Sequence, residues 1–98
     1  MAGYRLTVAA RADLRRIFVE SIELFGPTQA RAYRDRIGTT FALIAQQPGM
    51  ARLRRELEPS VRVHPVGAHF VVYIEQDDSV LILRIRHGRE DWQNDPVG

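Results

Sequence analysis

The chain contains no cysteine and no lysine. Without cysteine there is no disulfide scaffold, no thiolate metal site and no thiol nucleophile. Such a composition suits a reducing compartment. No apolar run approaches the roughly 20 residues needed to cross a bilayer. The opening Met1-Ala2-Gly3-Tyr4-Arg5 has no apolar signal core. A cytoplasmic protein with no membrane association is therefore expected. The three histidines, His64, His69 and His87, lack metal-ligand spacing, so neither a metal site nor a cofactor is expected. Also missing are a phosphate-cradling glycine loop, a nucleophile elbow and a Ser-His-Asp order.

The lack of lysine makes all 14 basic side chains arginine, against 12 acidic ones, for a net charge of +2. Two readings compete. One is a coding bias toward arginine. The other is that the planar guanidinium fork suits carboxylates and phosphates. A charge of +2 is too small to establish nucleic-acid binding, so position matters more than the total. The 98 residues, 45% hydrophobic and 27% charged, read as one globular domain spanning 1–98.

Six helices and strands, a connector and a tail are legible. Tyr4 to Val8 alternates and predicts a short strand. From Ala9 to Phe25, Ala10, Leu14, Ile17, Phe18, Ser21 and Phe25 recur at helical spacing, and Gly26-Pro27 stops the run. Thr28 can cap a second helix, with an apolar stripe of Ala30, Tyr33, Ile37, Phe41 and Ile44, ending before Pro48-Gly49. Gly38 inside it marks either a close helix crossing or a tolerated defect. A charged connector, Met50 to Ser60, precedes strands at Val61–Val66, His69–Glu75 and Val80–His87. A polar tail follows Gly88 and is expected to be flexible from about residue 92. The fold class is α+β in the order β-α-α-β-β-β. An antiparallel helical hairpin packs on a small antiparallel sheet, and the N-terminal strand joins at an edge or beside the last strand.

Candidate chemistry gathers at the end of the last strand. Alternation puts Arg84 and Arg86 on one face and Leu83, Ile85 and His87 on the other. With Leu83 and Ile85 toward the helices, the two arginines project from the open face, and Arg62 and His64 extend the strip. That face is either a basic surface for an anionic ligand, RNA or an acidic partner, or a solvated face. His87 is either a general base or a strand-end histidine bonded to the following turn. Trp92 either stacks on a base or docks the tail. The Arg52-Leu53-Arg54-Arg55 cluster either touches an anionic partner or is a solvated loop.

Taken together, these pieces resemble the ParE toxins of the RelE/ParE superfamily. The resemblance runs along nearly the whole chain. Tyr4-Arg5-Leu6-Thr7 with Ala10, Asp13-Leu14 and Ile17 opens it. Phe25-Gly26, Ala30, Tyr33, Ile44 and Pro48 follow, then Leu57, Arg62, Pro65-Val66-Gly67 and Phe70-Val71-Val72-Tyr73. Ile82-Leu83-Arg84-Ile85-Arg86-His87-Gly88-Arg89-Glu90-Asp91 closes it. The resemblance implies a RelE/ParE-like fold and the toxin half of a type II toxin–antitoxin pair. It also implies growth arrest through binding and inhibition of DNA gyrase, and a role in plasmid stabilisation. A ParD-like antitoxin would neutralise the toxin in a hetero-oligomer and provide its only link to DNA. The surface expected to meet target or antitoxin is Arg62, His64, Arg84, Arg86, His87, Arg89 and Trp92. The alternative is a RelE-like ribosome-dependent mRNA endonuclease, with Arg62, Arg84 and Arg86 holding phosphate and His87 moving a proton. The absence of lysine and of a tyrosine in the tail favours a binding toxin over a catalyst.

Overall fold

The computed structural model describes residues 3–98. Strand β1 (Gly3–Leu6) leads into helix α1 (Val8–Phe25) and helix α2 (Pro27–Gln46). Strands β2 (Arg62–Val66), β3 (His69–Gln76) and β4 (Ser79–His87) follow, with short 3-10 turns at Pro48–Met50 and Trp92–Asn94. Among the described residues, no helix is long and apolar enough to cross a membrane.

The first strand is shorter than its sequence pattern predicts, because Thr7 leaves it to cap α1. The Thr7 hydroxyl accepts from Ala10 N–H at 3.0 Å and donates to the Leu83 carbonyl at 2.7 Å. One side chain thus starts the helix and ties it to β4. Val8 is the first helical residue rather than the last strand residue. At the other end, Gly26, at φ 87°, closes α1 and opens α2, and Pro27 rather than Thr28 begins the second helix. Proline suits that position, where its missing N–H would have no helical partner.

The four strands lie in the order β1-β4-β3-β2. β2, β3 and β4 pair antiparallel, but β1 pairs parallel with β4, Gly3 opposite Ser79 and Leu6 opposite Ile82. The sheet is therefore mixed, not antiparallel throughout. The hairpin of two helices is the crossover that returns the chain in the parallel sense. The first strand, expected at an edge or beside the last strand, lies at both.

Both helical stripes pack on one face of the sheet. Ile17, Ile37, Phe41 and Ile44 meet Val71, Tyr73, Val80, Ile82 and Ile85 in the main core. A second cluster covers the other face: Leu57 from the connector and Trp92 from the tail pack with Val61 and Val72. The tail expected to be flexible is seated there, with Trp92 5% exposed and its ring 5.2 Å from that of Phe70.

Strict alternation fails in β4. Val72 stands opposite Arg84 but Tyr73 stands opposite Ile82, so Leu83 is an inserted residue, a β-bulge. One extra residue inverts the facing of everything beyond it. Ile82 and Ile85 therefore both reach the main core, whereas Leu83 packs on the second cluster. The expectation that Leu83 and Ile85 share a face is corrected by this bulge.

Two glycines make opposite predictions. Nothing lies within 4 Å of a Cβ built on Gly38, so no close helix crossing requires it. Gly38→Ala should stabilise the protein by about 0.5–1 kcal/mol in urea unfolding. Gly67 turns between β2 and β3 at φ 56°, where a Cβ would stand 2.6 Å from the Tyr33 ring. Gly67→Ala should therefore destabilise by about 1–3 kcal/mol in the same measurement.

Candidate functional site

Helix α1 presents Asp13 on its buried stripe, between Ala10 and Ile17. β1 ends at Leu6, so the edge of β4 beyond Leu83 has no strand beside it. Asp13 fills that gap. Its Oδ2 accepts the Ile85 backbone N–H at 3.0 Å, and Arg84 clasps both carboxylate oxygens at 2.7 and 2.9 Å. Arg16 adds a longer contact at 3.2 Å. Burial alone would raise the Asp13 carboxyl, but the bonds from Arg84 and Ile85 and the charges of Arg84 and Arg16 hold it below its ordinary value of 3.8.

Arg86 is buried at 8% exposure. Its guanidinium donates to the backbone oxygens of Asp95, Pro96 and Gly98, and to Glu90 at 2.9 and 3.2 Å. Arg84 also reaches the Gly98 carbonyl, at 2.6 Å. The two arginines thus hold the chain's own tail against the sheet, and Trp92 seats that tail in the second cluster. Arg54 stacks over the Trp92 ring at 5.6 Å. The rest of the connector closes on itself. Glu56 joins Arg52 and Arg54, and their hydrogen bonds pull its carboxyl down to about 2.

Arg62 and His64 do not continue this strip. Arg62 stands opposite Tyr73, on the helix side of the sheet, whereas Arg84 stands opposite Val72, on the other side. The bulge and the strand pairing place the two pairs on opposite faces. Arg62 donates to the Ala51 carbonyl and pairs with Glu75 at 3.0 Å. His64 is half-buried on β2, opposite Val71.

His87 ends β4 as a turn-capping residue. Its Nδ1 accepts the Arg89 backbone N–H at 3.0 Å, and Glu90 accepts the His87 backbone N–H at 2.8 Å. Glu90 therefore bonds the backbone of His87 and not its ring. The His87 ring meets His69 edge-on, with centroids 5.0 Å apart. His69 in turn bonds Tyr33, at 2.7 Å from its Nδ1 to the phenol oxygen, and Tyr33 lies 3.0 Å from the Val66 carbonyl. A carbonyl can only accept, so the phenol proton goes to Val66 and His69 donates from Nδ1. Burial, aided by the neighbouring His87, lowers the His69 pKa, and the ring is neutral at pH 7.

These rings line a cavity of about 590 Å³, set between the facing ends of α1 and α2, the β2–β3 turn and the end of β4. Ile17, Leu24, Phe25 and Ala32 supply apolar lining, and Arg36 and Arg89 supply charge. Neither the Asp13 clasp nor this cavity emerges from sequence pattern alone. Asp13 did carry a signal, as a carboxylate on an apolar helical stripe requires a buried partner.

The comparisons with known proteins agree with this architecture. The family model described as ParE toxin of type II toxin-antitoxin system, parDE, matches residues 4–92. Toxin ParE1 of Caulobacter vibrioides is 34% identical over 87 residues, covering 89% of this chain and 90% of its own. Toxin ParE of Escherichia coli is 30% identical over 92 residues, covering 93% and 89%. A solved structure titled as a chromosomal ParDE TA system from P. aeruginosa superimposes with a TM-score of 0.77. Its identity is 24%, and the match covers 89% of this chain and 96% of that one.

Asp13→Asn leaves Arg84 without its counter-charge, and should destabilise the fold by about 3–5 kcal/mol in urea unfolding. The folded carboxyl titrates below its unfolded value of roughly 3.9. Its stabilisation is thus complete above about pH 4 and is lost as pH falls through the folded pKa. Acid unfolding of the variant should show a shallower pH dependence below pH 4 than the wild type.

Proposed function

The chain belongs to the ParE toxin family of parDE type II toxin–antitoxin systems, and we propose that it arrests growth by binding DNA gyrase until a ParD-like antitoxin folds over it. The observation that carries the choice of binding over nuclease chemistry is the fate of the candidate cations. Arg84 and Arg86 clasp Asp13, Glu90 and the tail, and Arg62 is held by Ala51 and Glu75. A scissile phosphate needs cations free to follow its developing charge. His87 spends Nδ1 on the turn, and among the described residues no carboxylate orients its ring.

The surface left for partners lies at the hairpin end. Val19, Ile22, Leu24 and Phe25 are 51%, 36%, 73% and 64% exposed. Arg36 and Arg89 stand near the last two, around the same cavity. A segment that folds on binding needs apolar area to offset its ordering entropy, and charge to fix its register. This end supplies both to an acidic amphipathic segment. Of the residues first considered for contact, His87 and Arg89 stand at this end, whereas Arg84, Arg86 and Trp92 are engaged with Asp13, Glu90 and the tail, and Arg62 with Ala51 and Glu75.

Pulse-labelling after induction without antitoxin should show DNA synthesis stopping first while translation continues, and the purified protein should inhibit gyrase supercoiling. His87→Gln should keep at least half of that inhibition. Early arrest of translation, abolished by His87→Gln, would instead establish the ribosome-dependent nuclease.

A further inference from the structure

The cavity at the hairpin end lies within the surface proposed above for the antitoxin, and its lining has further features. Its basic groups are uncommitted. Among the described residues, seven of the 14 arginines pair with carboxylates; Arg5, Arg11, Arg15, Arg31, Arg36, Arg55 and Arg89 do not, and of these Arg36 and Arg89 line the cavity. The acid in the lining, Glu20, is itself engaged by Arg16 at 3.9 Å. An anion entering the cavity therefore meets two available cations, with Glu20 as the one carboxylate in the lining.

The imidazoles are fixed as well. His69 donates from Nδ1 to Tyr33, which leaves the Nε2 lone pair as an acceptor. His87 accepts at Nδ1 from Arg89 N–H, which puts its proton on Nε2 as a donor. The wall that holds them is preformed. The Tyr33 hydroxyl bridges His69 and the Val66 carbonyl, and its ring sits against Gly67, where not even a methyl group fits. A rigid wall lowers the entropy that a ligand must overcome. The cavity is a half-open cleft, and its volume of about 590 Å³ and partly apolar lining can admit a small molecule.

We propose that this cavity is a binding site for a small organic anion, a phosphate or carboxylate head on an apolar body. Arg36 and Arg89 hold the head, and Ile17, Leu24 and Phe25 cover the body. The site does not depend on the gyrase reading, since it concerns the toxin alone.

The test is isothermal titration of the full chain with three probes: inorganic phosphate, adenosine monophosphate and hexanoate. Adenosine monophosphate or hexanoate should bind at least tenfold more tightly than inorganic phosphate. Which of the two binds distinguishes a phosphate head from a carboxylate head. Arg36→Gln and Arg89→Gln should each weaken that binding about tenfold, while the urea midpoint stays at the wild-type value because neither guanidinium has an internal partner. Leu24→Ala should weaken the organic probes and leave inorganic phosphate unchanged. Binding of no organic probe more tightly than inorganic phosphate would overturn the proposal. So would organic-probe affinities that both arginine variants leave intact.

Discussion

The carboxylate of Asp13 is the point on which helices, sheet and tail converge. A strand edge left bare inside a protein carries an unpaired N–H, and such a group is costly to bury. Asp13 meets the Ile85 N–H where β1 can no longer do so, and it brings α1 onto β4 at a defined height. Its charge then needs a counter-charge, which Arg84 supplies through two hydrogen bonds. A buried pair of this kind contributes little net stability over an apolar pair of the same shape. It does distinguish one docking of helix on sheet from others of similar apolar area, because only one leaves no charge orphaned. No buried side-chain nitrogen or oxygen among the described residues lacks a partner.

The same arginine links the two sides of the sheet. Arg84 touches Asp13 below and the tail carbonyl of Gly98 above, and Arg86 shares that Gly98 oxygen and adds those of Asp95 and Pro96. A chain of 98 residues has few apolar side chains to cover a sheet twice. Here the second cover comes from irregular segments, Leu57 in the connector and Trp92 in the tail, with arginines satisfying backbone groups that those segments cannot pair in a ladder. The connector keeps most of its charge in local pairs, and Arg54 lies over the Trp92 indole.

Much of this was legible in the sequence. The stripes at Ala30, Ile37, Phe41 and Ile44 and at Ala10 and Ile17 are buried as their spacing implies. The three late strands and the position of the first strand are also as readable patterns suggest; of the readings left open for Trp92 and His87, the contacts seen are tail docking and turn bonding. What escaped was set by single-residue events and by long range. Period-two reasoning assumes an unbroken ladder, and the insertion of Leu83 breaks it. The expected basic strip of Arg62, His64, Arg84 and Arg86 dissolved for that reason, and because Arg84 finds its acid 71 residues away. Pattern shows that Asp13 needs a partner but cannot say which arginine of 14 supplies it.

The parallel pairing of β1 with β4 joins residues 3–6 to residues 79–82. Contacts of such long sequence separation form late and slowly. As the chain leaves the ribosome from its N-terminus, the helical hairpin has its local contacts early, but β1 and Asp13 wait for the last strand. Until β4 emerges, the hairpin's apolar faces have only an incomplete sheet to cover them, and Asp13 has neither Arg84 nor the Ile85 N–H to meet. The protein completes its fold only once β4 has been synthesised. An interval therefore separates translation of the hairpin from appearance of the finished fold.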